Sequence, residues 1–364
     1  MRSERKLHSF DSGITLECGD ILKSFDLMVD TYGNLNSDKS NAILVCHAFS
    51  GSHHAAGNSS EDDRPGWWDE LIGPQKAIDT DKFFVVSPNN LGSCFGSTGP
   101  TTVSPDTNEV YGKDFPDVTV LDWVNSQKML QDKLGITSWA AVMGGSIGGM
   151  QALQWAITFP DNVKRSAVIA AAAKASSQNI ALNEVSRESI RKDIDFCGGD
   201  YLKKNTFPKS GVKAARMLAH ITYLSEENMN KRFGRKFQKN ESKVGEFVDY
   251  EVENYLQYKG TKFSEFFDAN TYIIMSKAMD GFDPAKKYND ELKEALKNIK
   301  AKLLIVGFKS DWLFPPDRGK EIQLAAMQSG VNSSYLELDG IQGHDSFLFS
   351  NERYQKNLEA FLDN

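Results

Sequence analysis

The chain is poor in the features that mark secreted, membrane-bound or metal-clustered proteins. It has four cysteines, at positions 18, 46, 94 and 197. No two stand in C-x-x-C spacing, so neither a zinc knuckle nor a redox dithiol is signalled. Met1 to Asp11 are charged and lack the apolar core of a secretory signal. The longest apolar runs fall well short of a membrane span. No internal repeat, low-complexity tract, dinucleotide-binding fingerprint or Walker A sequence is present. Cationic surplus is absent too: the formal net charge of −7 argues against nucleic acid or anionic lipid as the main partner. A soluble, reduced, cytoplasmic protein is the expectation.

What is present is ordinary globular composition. The 364 residues are 40% hydrophobic and 25% charged, ample for a large core. Five continuous apolar runs stand out: Asn41 to Cys46, Phe83 to Ser87, Ser138 to Met143, Ser166 to Ala171, and Lys302 to Val306. Such runs suit strands buried on both faces of a parallel sheet. Helical patterns at Val118 to Leu134, ending at Gly135, and from Met150 to Ile157 lie between them. Alternation of this kind predicts an α/β fold with a mostly parallel sheet. Ile14 to Tyr32 alternates enough for antiparallel strands. Between about Lys174 and Lys300 the alternation stops, and Glu184 to Cys197, Gly211 to Leu224, Lys243 to Tyr258 and Ala269 to Met279 read as helices. The organisation expected is a core in two parts, 1–173 and 301–364, with a helical cap at 174–300. Glu352 to Leu362 closes the chain as an amphipathic helix.

Gly144-Gly-Ser146-Ile-Gly148 is a G-x-S-x-G motif between a predicted strand and a predicted helix. That context is what makes it a nucleophile elbow, the sharp turn of an α/β-hydrolase fold that lifts a serine above the sheet. A serine hydroxyl is a weak nucleophile and needs an adjacent base. In this fold the acid and then the histidine follow the serine in the chain. Only His220 and His344 of the six histidines do so. His220 falls inside a cap helix, whereas His344 lies in a glycine-punctuated loop after Ser334 to Leu338. The acid belongs at the end of the preceding strand, where Asp311 stands. Asp339 and Asp345 are too near His344 in sequence to reach its ring easily, and Asp317 fits a helix cap. Ser146, Asp311 and His344 are therefore the candidate triad. The backbone N–H of Ile147 and that of Phe49 or Ser50, with Phe49 preferred, would form the oxyanion hole. His53 and His54 are adjacent in sequence, so their side chains should point apart, and no carboxylate cluster supports them; no metal is predicted. Gly92 to Gly99 is glycine-rich but opens no helix, which makes it a poor phosphate cradle.

The segment Gly144-Gly-Ser-Ile-Gly-Gly-Met-Gln-Ala-Leu-Gln-Trp155 resembles the elbow of the homoserine O-acyltransferases of methionine biosynthesis. Pro65 to Asp69, Ile72 to Pro74, Asn90 to Gly92, Gly96 to Pro100, Tyr111 to Pro116, Arg216-Met217, His220 to Ser225, Phe267 to Tyr272 and Gly343 to Asp345 resemble that family as well. The likeness spans nearly the whole chain. It implies a ping-pong route in which serine takes an acyl group from acyl-CoA and passes it to the γ-hydroxyl of L-homoserine, with no further cofactor. It also implies that Arg216 holds the amino acid's carboxylate, that Asp345 holds its ammonium, and that two copies pair through the cap helices. Family members that use succinyl-CoA carry an arginine after the Asp-Trp pair. Here Leu313 occupies that place, and a neutral leucine implies acetyl-CoA as donor. Succinyl transfer, a serine acceptor, and a carboxylesterase in which water accepts the acyl group are the alternatives.

Overall fold

The apolar runs become the centre of one eight-stranded sheet. The structure is a computed structural model describing residues 3–58, 65–237 and 250–363. The strands of this sheet are β1 (Glu4–Phe10), β2 (Phe25–Tyr32), β3 (Ala42–Cys46), β4 (Phe84–Pro88), β5 (Ala141–Gly145), β6 (Arg165–Ile169), β7 (Lys302–Phe308) and β8 (Ser333–Leu338). Their order across the sheet is β1-β2-β4-β3-β5-β6-β7-β8. The pairs β1–β2 and β2–β4 are antiparallel. All later pairs are parallel.

Side-chain alternation along the inner strands feeds two separate cores. Leu44, Val142, Val168 and Ile305 join one; Ile43, Val45, Met143, Ile169 and Val306 join the other. Helices α1 (Val120–Leu134) and α2 (Ile147–Thr158) cover the first face with Trp123, Leu130, Leu153 and Trp155, all fully buried. The closing helix covers the second face with Tyr354, Leu358 and Leu362. Burial on both faces is why β3 and β5 contain no exposed residue.

Several boundaries differ from the sequence expectations. Helix α1 starts two residues late because Thr119 and Asp122 form a reciprocal capping box. Strand β5 runs to Gly145 rather than ending at Met143, since the two glycines stay extended up to the turn. The edge strand β1 was not foreseen. Its Glu, Arg and Lys residues give no apolar pattern, yet such residues are common on exposed sheet edges.

The named elements between β6 and β7 are all helices among the described residues. They include α3 (Ser177–Arg191), α4 (Tyr201–Lys204), α5 (Lys209–Tyr223), α6 (Glu226–Arg232), α7 (Glu251–Ser264), α8 (Ala269–Gly281) and α9 (Leu292–Leu296). Helix α3 begins seven residues before the expected start because Ser176 and Asn179 cap it. Residues 243–249 of the expected third cap helix lie outside the described residues. After β7 come α10 (Pro316–Gln328) and, beyond β8, α11 (Glu352–Asp363). Asp317 lies in the first turn of α10, but Pro315 is the cap residue and no side chain caps the helix. Among the described residues no helix is long and apolar enough to cross a membrane.

Candidate active site

Ser146 sits between β5 and α2 with φ 59° and ψ −128°. That backbone conformation is strained for a residue with a side chain, at a cost of about 1–3 kcal/mol. Tight packing enforces it. A Cβ on Gly144 would lie 2.5 Å from the carbonyl oxygen of Cys46, and one on Gly148 would lie 2.2 Å from the same atom. The two motif glycines thus let the elbow press against the end of β3. The Ser146 N–H donates to the Ile169 carbonyl at 2.9 Å, which anchors the turn to β6.

Asp311 and His344 come from the loops after β7 and β8. One carboxylate oxygen of Asp311 lies 2.8 Å from His344 Nδ1. The other accepts the backbone N–H groups of Leu313 and Phe314 at 3.0 and 2.9 Å. All three side chains, Ser146, Asp311 and His344, are buried. Burial pushes the His344 pKa down, but the adjacent Asp311 charge and hydrogen bond outweigh it, and the result lies above the ordinary value. Asp311 therefore favours both the Nδ1–H tautomer and the imidazolium, leaving Nε2 for proton transfer. His220, the other histidine in the running, is buried in α5 against Tyr223 and Tyr255.

The cap is joined to both triad loops at one corner. Trp312 Nε1–H donates to the Leu224 carbonyl at 3.1 Å, and the Ser225 hydroxyl donates to the Ile341 carbonyl. Gly343, with φ 71°, lies so close that a Cβ would come within 2.5 Å of the Ser225 nitrogen.

Ser146, His344, Phe49, Ser50, Arg216 and Asp345 all line one cavity of about 230 Å³. Ile147 is the first residue of α2, so its N–H has no partner inside the helix. Arg216 reaches in from α5. Its Nη1 donates to Ser50 Oγ at 3.0 Å, and its guanidinium lies 4.4 Å over the Phe263 ring. Asp345 shares the cavity, and burial raises its pKa to about 6 despite the positive charges of His344, Arg216 and Lys259. A smaller pocket of about 40 Å³ also reaches Ser146. Leu313, Asn179, Asn183, Ser186, Thr222 and Tyr272 are among its lining.

Sequence reading missed His47. It is fully buried, and burial lowers its pKa to about 4, so it is neutral. The Asn90 N–H donates to its Nε2 at 3.0 Å, so Nδ1 carries the proton and donates to the Ala48 carbonyl at 2.8 Å. That bond fixes the peptide whose other side is the Phe49 N–H. The one trace of it in the sequence is its place directly after the buried run of β3, which by itself names no role. The two neighbouring histidines do not point apart. His54 Nδ1 and His53 Nε2 approach the same carboxylate, Asp30, at 3.3 and 4.0 Å. Arg5 already pairs with that carboxylate at 3.0 Å, and no group of three or more metal-type ligands occurs among the described residues.

An alpha/beta hydrolase fold family model matches residues 41–349. A homoserine O-succinyltransferase of Hahella chejuensis is 53% identical over 97% of this chain and 92% of its own length. The chain belongs to the homoserine O-acyltransferase family. Among solved structures, a homoserine O-acetyltransferase from Bacillus anthracis has a TM-score of 0.92 at 30% identity, covering 100% of this chain and 98% of that one. Esterase E22 has a TM-score of 0.90 at 31% identity, covering 99% and 100%.

The succinyltransferase, much more similar than the acetyltransferase, overturns the acetyl-CoA expectation drawn from Leu313. Leu313 lines a mixed pocket beside Ser146, together with apolar Phe49, Leu182, Leu218 and Met279 and polar Asn179, Asn183, Ser186 and Thr222, so it is one of many side chains sharing that space. The backbone of Leu313 also holds the triad loop, donating to Asp311 and accepting from Asn179 Nδ2 at 2.9 Å.

Proposed function

We propose that this chain transfers a succinyl group from succinyl-CoA to the γ-hydroxyl of L-homoserine through a succinyl-Ser146 intermediate. The observation that carries the acceptor is the presence of Arg216 and Asp345, one cation and one anion, in the cavity that Ser146 and His344 line. A zwitterionic amino acid complements that pair, its carboxylate on the planar guanidinium and its ammonium on Asp345. The donor reading draws on the succinyltransferase relative.

In the first half-reaction Ser146 Oγ attacks the thioester carbon while His344 Nε2 takes its proton. The oxyanion is received by the N–H groups of Phe49 and Ile147. The C–S bond breaks and CoA leaves as the thiol with the proton from His344. Homoserine then enters. Its γ-hydroxyl gives its proton to His344 and attacks the acyl carbon; collapse returns the proton to Ser146 and releases O-succinylhomoserine. Hydrolysis would need the same triad, and the likeness to esterase E22 makes it the second reading. The test follows CoA release from succinyl-CoA with and without homoserine, with acetyl-CoA in parallel. Homoserine-dependent release and a higher kcat/KM for succinyl-CoA are expected. Homoserine-independent release would make the chain a hydrolase, and equal or better use of acetyl-CoA would refute the donor.

A further inference from the structure

Like charges held together repel, and where cations outnumber the carboxylates near them a fold leaves a place for an anion. The cap holds three such cations on one aromatic cluster. Arg216 lies over Phe263 and, at 5.4 Å, over Tyr223. Arg232, at the end of α6, lies 5.0 Å over Phe233 and 4.8 Å over Tyr255. Lys259, on α7, lies 5.8 Å from the centre of the same Tyr255 ring. His220 joins the two halves, 5.8 Å from Tyr223 and 5.6 Å from Tyr255 by ring centres, with the Tyr255 hydroxyl 3.3 Å from its Nδ1. Their neighbours Lys236 and Lys262 have acidic partners, Glu251 at 3.9 Å and Glu265 at 3.1 Å. Among the described residues Arg232 and Lys259 form no ion pair. The crowding has electrostatic consequences: burial, then Arg216 and Arg232, hold Lys259 below its ordinary pKa.

The cluster connects the outside to the chemistry. Tyr223 lines the active-site cavity, and His220 packs between its ring and that of Tyr255. Arg232 and Tyr255 line an open groove of about 480 Å³ on the cap surface, shared with Tyr258 and Glu251. Tyr258 is 58% exposed there. A donor that carries its charges at the far end of a long neutral arm fits this layout. It would leave its phosphates outside while the thioester reached Ser146, and its departure would free the cavity for the amino acid.

We propose that Arg232 and Lys259 bind the phosphates of the acyl-CoA donor, and that Tyr258 offers its ring to the adenine. This rests on the acyltransferase reading above. The test compares succinyl-CoA with succinyl-N-acetylcysteamine, which has the same thioester and no phosphate, by the rate of thiol release in the acylation step. In Arg232→Glu and Lys259→Glu the ratio of kcat/KM for the two donors is expected to fall at least about tenfold, and Arg232→Lys is expected to keep it near the wild-type value. An unchanged ratio, or equal loss on both donors, overturns the site. A second measurement needs no variant. Raising salt from about 0.05 to about 0.5 M should slow succinyl-CoA and spare the phosphate-free donor; an equal response overturns the site. Failure of both thioesters to acylate Ser146 in the wild-type protein would sink the acyltransferase reading and this site with it. An unaltered ratio with both donors active sinks this site alone.

Discussion

Replacing Asp345 by asparagine should make the protein more stable and its second half-reaction much slower. Asp345 has a pKa of about 6 against an ordinary 3.8, with burial as the main cause. A raised carboxylate pKa means the folded state binds the proton more tightly than the unfolded state. The ionised form therefore costs stability above pH 6, and that cost disappears as pH falls towards 4. A difference of about two pKa units corresponds to about 3 kcal/mol. Asparagine keeps the shape without the charge, so a gain of about 1–3 kcal/mol is expected at pH 8, shrinking towards zero near pH 4. The same charge is what would hold the substrate's ammonium. Losing a hydrogen bond to a charged group costs about 1.5–3 kcal/mol, or about 10- to 150-fold in kcat/KM for homoserine. In a ping-pong scheme kcat/KM for each substrate isolates its own half-reaction, so kcat/KM for succinyl-CoA should be largely spared. Urea unfolding at pH 8 and pH 5, with initial rates against each substrate, measures all of this. An Asp345→Asn protein that is no more stable at pH 8, or that uses homoserine as well as the parent, would refute the reasoning. In the parent, kcat/KM for homoserine should also fall below about pH 6 with an ionisation that the variant lacks.

Asp311→Asn removes the acceptor that fixes the His344 tautomer, and acylation should slow about 10⁴-fold with the fold intact, read as the burst of CoA release. Gly148→Ala puts a Cβ 2.2 Å from the Cys46 carbonyl oxygen. It should lower the melting temperature and abolish the burst; a fully active alanine variant would show that the elbow is looser than described. His47→Phe keeps a ring but loses both hydrogen bonds. It should destabilise by about 1–3 kcal/mol through the unpaired Asn90 N–H. It should also slow acylation by up to about 10²–10³-fold, the range for an impaired oxyanion donor, with KM little changed.

Most of the sheet was legible because its inner strands are short, apolar and buried on both faces, and their length and polar flanks separate them from buried helices. The candidate triad was legible for a related reason. Each member follows a strand, so strand order and chain order together left Ser146, Asp311 and His344 as the simplest assignment. Residues held by cross-chain contacts were not legible in this way. Helix α3 begins at a Ser176–Asn179 cap that lies outside the apolar pattern, and β1 is a charged edge. His47 carries no motif of its own; its role depends on Asn90, more than forty residues away, and on the Ala48 carbonyl.

Donor selection shows where residue-by-residue reading fails. The inference from Leu313 treated one position as a switch and assumed that a missing cation leaves a carboxylate unpaired. The pocket is assembled from α3, α5, α8 and the loop after β7, which contribute Asn179, Asn183, Ser186, Thr222 and Tyr272 beside Leu313. Several of these groups are engaged already: Asn179 Nδ2 with the Leu313 carbonyl, and Asn183 Nδ2 with Asp280 at 2.6 Å. The Ser186 and Thr222 hydroxyls also donate to helix carbonyls, so under the proposed donor reading selectivity would rest on these groups together rather than on one formal charge. A carboxylate held by several neutral donors can be bound as well as one held by a single arginine, because each such bond to a charge is worth more than a neutral one. Selectivity built this way is distributed over three helices and a loop. No single substitution at position 313 is therefore expected to convert the donor preference; a Leu313→Arg variant that changed the succinyl-to-acetyl ratio of kcat/KM by more than about a hundredfold would show that one position does act as the switch.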